Sequence, residues 1–175
     1  MKDPTFISDI EISKKLRTNV EIVNVIEEIN LDKLRKKINQ AKGLIIVRGI
    51  NDNINRAALE NKRVKVLLSP EYGRKNDSLH FRNSGLNQVL CKLAKKNNIA
   101  IGFNFNDILN NDKLTKINIL GKMMQNVRIC RKYKVRMIVG SFAKDKYELR
   151  SIDSLKAFAY CIGMDGKEIN NAFIE

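Results

Sequence analysis

Residues 64–103, VKVLLSPEYGRKNDSLHFRNSGLNQVLCKLAKKNNIAIGF, hold a complete strand–helix–strand unit. VKVLL (64–68) and IAIGF (99–103) are short apolar runs with little polar alternation, the pattern of strands buried on both faces of a parallel sheet. Between them the spacing predicts a helix over 84–97. Ser84 suits its N-cap, Leu86, Val89, Leu90, Leu93 and Ala94 form an apolar stripe, and Lys92, Lys95 and Lys96 favour its C-terminal half. Parallel neighbours joined by a helix need a right-handed crossover, so this unit sets the class as α/β.

Working outward, LIIV (44–47) and VRMIV (135–139) repeat the strand pattern. VEIVNVI (20–26) is a fifth run, interrupted by Glu21 and Asn24, and 5–7 is a weaker sixth. Helical spacing falls over 31–41, where Gly43 supplies a stop, and over 52–61 and 112–133, the last after a turn around 106–111. Further helices are expected over 153–161, with Asp153 as cap, and over 165–173. Such alternation means βαβ units, in an open doubly wound sheet or a barrel. Either way, ligands meet the loops that follow the strands' C-terminal ends.

The 175 residues, 43% hydrophobic and 30% charged with 9 Gly and 2 Pro, argue for a globular chain and one domain over 1–175. No run of about 18 apolar residues is present, and MKDPTFISD has no apolar core of a signal peptide, so a soluble, cytoplasmic protein with no membrane partner is expected. Cys91, Cys130 and Cys161 are far apart and odd in number, which fits reduced thiols in helices rather than disulfides or a zinc module.

The net charge of +14 is concentrated, with +11 over residues 31–100 and +7 over 101–150, while both ends are slightly acidic. Residues 113–136 carry Lys113, Lys116, Lys122, Arg128, Arg131, Lys132, Lys134 and Arg136 without one acid. A merely solvated helix face mixes signs and gains from Glu–Lys pairs, so this run points to a polyanion, with nucleic acid the first expectation. The loop 69–83 is longer than a usual strand-to-helix connection and interleaves Arg74, Lys75, His80 and Arg82 with Tyr72 and Phe81. Cations neutralise phosphate and rings stack on unpaired bases. The same residue types also favour protein interfaces.

PEYGRKN (70–76), HFRNSGLNQVLCKLAKKNNIAIGFN (80–104), LGKMMQNVRICRKYKV (120–135), IVGSFA (138–143) and ELRSIDSLKAF (148–158) together resemble the archaeal ribonuclease P protein component 3 family, homologous to the eukaryotic thirty-kilodalton subunit. RNSGLN (82–87) is the most specific piece. The resemblance implies a TIM-like (β/α) barrel related to the polymerase-and-histidinol-phosphatase metal-dependent barrels. It also implies a non-catalytic subunit of the ribonucleoprotein that removes 5′ leaders from precursor tRNA. Component 2 and the catalytic domain of the ribonuclease P RNA are the implied partners. Family members begin with a strand and helix ahead of the strand expected here at 20–26, and MKDPTFISDIEISKK stands as a reduced version, which predicts an incomplete barrel with exposed edges to cap.

The related barrels are metallohydrolases, so an autonomous metal-dependent phosphoesterase or nuclease is the alternative. Such sites gather several His and carboxylate ligands at strand ends. Here there is one His, and the strand ends carry Arg48, Asn104, Asn106, Ser141 and Lys144 with Asp107 the nearby acid and Glu71 and Asp77 in the long loop. No nucleophile elbow, Walker loop or dinucleotide fingerprint is present. The expectation is an RNA scaffold with no catalytic residue, no metal site and no cofactor of its own, Mg²⁺ being carried by the partner RNA. The candidate RNA contacts are Arg74, Lys75, His80, Arg82, Arg131, Lys132, Lys134 and Arg150, with Asn83, Ser84 and Asn87 shaping the loop and helix start. A protein-interaction module with incidental charge is the third reading.

Overall fold

The computed structural model describes residues 1–6, 9–73, 77 and 82–173. The chain begins with β1 (Asp3–Thr5), α1 (Ile10–Lys15), β2 (Val20–Ile22) and β3 (Asn24–Ile26). It continues through α2 (Leu31–Gln40), β4 (Ile45–Arg48), α3 (Asp52–Glu60), β5 (Val64–Leu68), α4 (Gln88–Lys96) and β6 (Ala100–Asn104). The last elements are α5 (Asn106–Leu109), α6 (Lys113–Tyr133), β7 (Met137–Gly140), a 3-10 turn at Lys146–Glu148, α7 (Ile152–Cys161) and α8 (Gly166–Asn170). β3 to β7 form one parallel sheet in chain order, and β1 pairs in parallel with β2.

The strands are apolar on both faces because both faces are covered. Ile45, Val47, Val64, Leu67, Ile101, Phe103, Met137 and Val139 pack against the helices. Ile46, Val66, Leu68, Ala100 and Ile138 point to the opposite face, where they meet Val23 and Phe142 in a second, helix-free core. That second core is the interior of a barrel-like curl. The curl is not closed by a continuous ladder, yet β1 leans on the far edge: Phe142 N–H donates to Pro4 O (2.9 Å) and Phe6 N–H to Ala143 O (3.0 Å). Gly140 permits this approach, since a Cβ there would overlap the Pro4 ring. Lower down the same edge, Val139 N–H donates to Ala172 O (2.8 Å), so the two chain ends together cap β7.

The helix starts follow from short polar caps. Asn30, Asn51, Asn87 and Asp112 accept backbone N–H bonds at the heads of α2, α3, α4 and α6, and Asp165 completes a capping box with Glu168 on α8.

Several expectations are corrected. The run 20–26 is two strands in two different ladders, because Val23 between them turns its N–H to Thr5 O (2.8 Å). The strand expected at 5–7 lies earlier, at Asp3–Thr5, and Ile7 lies outside the described residues. Helix 84–97 starts at Gln88, capped by Asn87; Ser84 lies in the loop before it, where Gly85 takes a positive φ of 77° and breaks the helical path. Val89 consequently faces solvent. α7 is capped by Ser151 rather than Asp153, and α8 is a five-residue helix. Cys91, Cys130 and Cys161 are free and lie in α4, α6 and α7, the first two buried.

Candidate nucleic-acid interface

The loops after β4, β5 and β6 meet at Asp107, on α5. Arg48 Nη2 donates to its Oδ1 (2.6 Å), Ser69 Oγ to its Oδ2 (2.6 Å) and Asn104 Nδ2 to Oδ1 (3.1 Å). Ser69 reaches this position with φ of 50°, a left-handed conformation held by Ser69 N–H donating to Gly102 O (2.8 Å). Burial pushes the Asp107 carboxyl up against the opposing pull of Arg48 and Ser69. On Arg48, burial works to lower the pKa, but the charges of Asp107 and Glu27 outweigh it and leave the guanidinium more firmly protonated than usual. The guanidinium also lies 4.3 Å from the centre of the Tyr72 ring, which it holds at the mouth of the long loop.

A second set of contacts shapes RNSGLN (82–87). Asn126 of α6 donates from Nδ2 to Ser84 O (2.9 Å) and to Glu71 Oε2 (3.0 Å). Asn55 of α3 donates from Nδ2 to Gly85 O (3.2 Å) and Pro70 O (3.4 Å), and Gln125 donates to Arg82 O (3.0 Å). Asp77 accepts from Asn83 N–H (2.9 Å) and lies 3.6 Å from Arg82 Nε and 3.5 Å from the buried Lys122 ammonium. The Arg82 guanidinium sits over Gly121 of α6, where any side chain would displace it. Two helices thus fix the backbone of the motif and hold Arg82 at the surface.

Asn55, Gln125 and Asn126 were not among the sequence candidates. Their signal was present for two of them: Asn126 shares the stripe of Ile119, Met123, Val127 and Cys130, and Asn55 adjoins Ile54 on a buried face, so each is a polar side chain at an apolar register.

The remaining candidates are spread out. Arg74, Lys75 and His80 lie outside the described residues. Arg82, Asn83 and Ser84 are together as described, and Asn87 caps α4 through Leu90 N–H (2.9 Å). Arg150, in the loop after β7, donates to Tyr147 O (2.8 Å) and Leu149 O (2.7 Å) and lies 5.4 Å from the Phe105 ring centre. Lys132 and Lys134 are exposed at the other end of the sheet, where α6 turns into β7, with Lys134 in the left-handed conformation. Arg131 is paired with Glu168 through two bonds (2.8 and 2.6 Å) and donates to Gly163 O (2.6 Å), which fastens α8 to α6.

Among the described residues no three His, Cys, Asp or Glu side chains come together, and Asp107 is committed to Arg48, Ser69 and Asn104. These strand ends do not fit a multinuclear hydrolase centre. No helix of the described residues is long and apolar enough to cross a membrane.

Fold and site define a parallel α/β, barrel-like protein whose strand ends are tied by side-chain bonds and whose basic groups lie on loop and helix surfaces. Comparison with known proteins narrows this. The model of the family described as RNase P subunit p30 matches residues 11–175, and the chain belongs to that family. Ribonuclease P protein component 3 of Methanosarcina mazei is 35% identical over 136 residues, 78% of this chain and 54% of the relative. The protein of the same name from Methanothermobacter thermautotrophicus is 28% identical over 162 residues, 93% of this chain and 61% of the relative. The chain spans about half the length of the curated relatives it matches. A chain in a cryo-EM structure of archaeal ribonuclease P with mature tRNA has the same fold, with a TM-score of 0.75 at 24% identity over 97% of this chain and 76% of that one.

Proposed function

We propose that this chain is an RNA-binding protein subunit of ribonuclease P, the ribonucleoprotein that removes the 5′ leader from precursor tRNA. Membership of the p30 family is the observation that carries the reading. It is supported by the name of the relatives and by a basic surface built on a motif loop that two helices hold in shape. The mechanism is electrostatic. Arg82, Arg150, Lys132 and Lys134, with Arg74, Lys75 and His80 of the long loop, displace counterions from folded RNA and stabilise its active conformation. Catalysis stays with the RNA and the Mg²⁺ it binds, the protein holding no cofactor. Component 2 is the protein partner, and the cytoplasm is the place of action.

The test is a reconstituted cleavage assay: precursor tRNA and ribonuclease P RNA at limiting Mg²⁺, with component 2, with and without this chain. Cleavage that rises only when the chain and the RNA are both present is the expected result. Cleavage by the protein alone, or no gain from adding it, overturns the proposal.

A further inference from the structure

The crossovers from α4 to β6 and from α6 to β7 are built on the same turn. AKKNNI (94–99) and CRKYKV (130–135) each leave their helix through a residue in the left-handed region, Asn98 and Lys134, both at φ of 54°. Each turn closes in the same way, Ile99 N–H donating to Ala94 O (2.9 Å) and Val135 N–H to Cys130 O (2.9 Å). The repeated turn places basic residues at the ends of both helices, on the face where the sheet strands begin. Lys95, Lys134 and Arg136 border one cavity there, of 340 Å³, and Lys65 and Arg136 border a second, of 230 Å³, with Asn98 and Arg136 common to both. Four exposed cations thus surround one continuous depression. Its acid, Glu168, is already bound to Arg131, and among the described residues these four cations have no ion pair. The helix ends do not use them up, since the C-termini of α4 and α6 together present about one negative charge.

We infer that this face, at the N-terminal ends of β5 to β7, is a second RNA surface that takes the phosphate backbone of a double-helical segment through Lys65, Lys95, Lys134 and Arg136. The inference rests on the RNA-binding reading above and deepens it, adding a surface opposite the loops where ligands of parallel α/β folds usually meet the chain. Unpaired RNA is gripped by rings on which its bases stack. Among the described residues this depression offers none: its lining holds no aromatic side chain, and Tyr133 beside it is half-buried, with its hydroxyl 3.3 Å from Gln88 Oε1. A protein partner would call for an apolar centre with charge at the rim. Here the charges hold the centre, and the large exposed apolar side chain of the lining is Leu44. Phosphates in a duplex need only cations at fixed spacing. β5 and β7 flank β6, which sets the backbones of Lys65 and Arg136 about 10 Å apart, wide enough for each to meet its own phosphate.

The test measures binding of the full chain to ribonuclease P RNA over a salt series, with an RNA duplex of about 16 base pairs and one of its strands as competitors. Lys65→Gln with Lys95→Gln removes two exposed charges and should lower the slope of log affinity against log salt by about 1.5; adding Arg136→Gln should lower it by about 0.8 more. Lys33→Gln with Lys36→Gln, exposed on α2, makes the same change in net charge and should leave the slope as it is. The duplex should compete better than the single strand against the wild type and lose that advantage against the triple variant. An unchanged slope in Lys65→Gln with Lys95→Gln, an equal fall in the α2 pair, a single strand that competes as well as the duplex, or polyglutamate that displaces the RNA equally overturns the surface. If the wild type binds RNA and the double variant keeps its slope, only this surface falls; if the wild type does not bind RNA, the functional reading falls with it.

Discussion

Asp107 shows how much one buried carboxylate can organise. It draws Arg48, Ser69 and Asn104 from three successive strand ends into one network. The sequence places Arg48 and Asn104 at strand ends with Asp107 nearby and leaves Ser69 as the start of a loop, and no spacing rule brings positions 48, 69 and 107 together, because register and crossover geometry decide it. Removing Arg48 or Asp107 leaves the other charge buried without its partner, which costs about 3–5 kcal/mol. Arg48→Met should therefore lower stability by about 3 kcal/mol in urea unfolding, and Arg48→Met with Asp107→Leu should recover most of that loss. Glu71 gives a pH signature. Burial first, then the Asp107 charge, raise its carboxyl from 4.5 to about 8 against the pull of its own backbone N–H, Asn126 and Arg48. The folded state thus holds the proton more tightly than the unfolded chain. Its stabilising contribution is complete below the unfolded value of 4.5 and is lost as pH rises through about 8. Asp3, raised from 3.8 to about 6 chiefly by burial, acts the same way at lower pH. Urea midpoints taken from about pH 5 to 8 should fall in the wild type and fall less in Glu71→Gln.

At the scale of elements, the strands were legible because burial on both faces leaves an unbroken apolar run, and the helices because caps and stripes are local. The start of α4 was not. Ser84 and Asn87 are both good caps, and Leu86 keeps helical spacing with Leu90 and Leu93, so local rules favour the earlier start. Tertiary contacts decide otherwise: Asn126 and Asn55 bind the carbonyls of Ser84 and Gly85, which a helix would turn toward its own axis. Asn87→Ala should then destabilise by about 1 kcal/mol, the usual worth of a cap. Ser84→Ala should cost much less, since the buried Ser84 hydroxyl has no hydrogen-bond partner. Equal losses in urea unfolding would return the cap to Ser84. Gly121 separates folding from binding on α6. Gly121→Ala should stabilise the helix by up to about 1 kcal/mol while displacing Arg82. A chain that melts higher yet binds RNA less tightly is the expected result.

For the molecule as a whole, charge was readable along the chain but not in space. The candidate contacts Arg82, Arg150, Lys132 and Lys134 divide between two ends of the sheet. Arg82 and Arg150 belong to loops after the C-terminal ends of β5 and β7, whereas Lys132, in the last turn of α6, and Lys134, its C-cap, come just before β7 begins. α6, with 21 residues, joins the two ends and is about 30 Å long. Partial burial of the same run explains why counting alone overstates the surface: Lys122 lies inside beside Asp77, and Arg131 is paired with Glu168. An RNA that lies along α6 touches both ends; one that enters only at the motif loop touches one. Each neutralised phosphate contributes about 0.7–0.9 to the slope of log affinity against log salt. Arg82→Ala with Arg150→Ala should reduce that slope by about 1.5, and Lys132→Ala with Lys134→Gly should reduce it by a similar amount, with the losses adding in the fourfold variant. Glycine at 134 suits the left-handed backbone there, so the second pair removes charge without straining the helix end. A slope that responds to the first pair and ignores the second confines the RNA to the C-terminal ends of the strands and makes the Lys132 and Lys134 charges ordinary solvated surface.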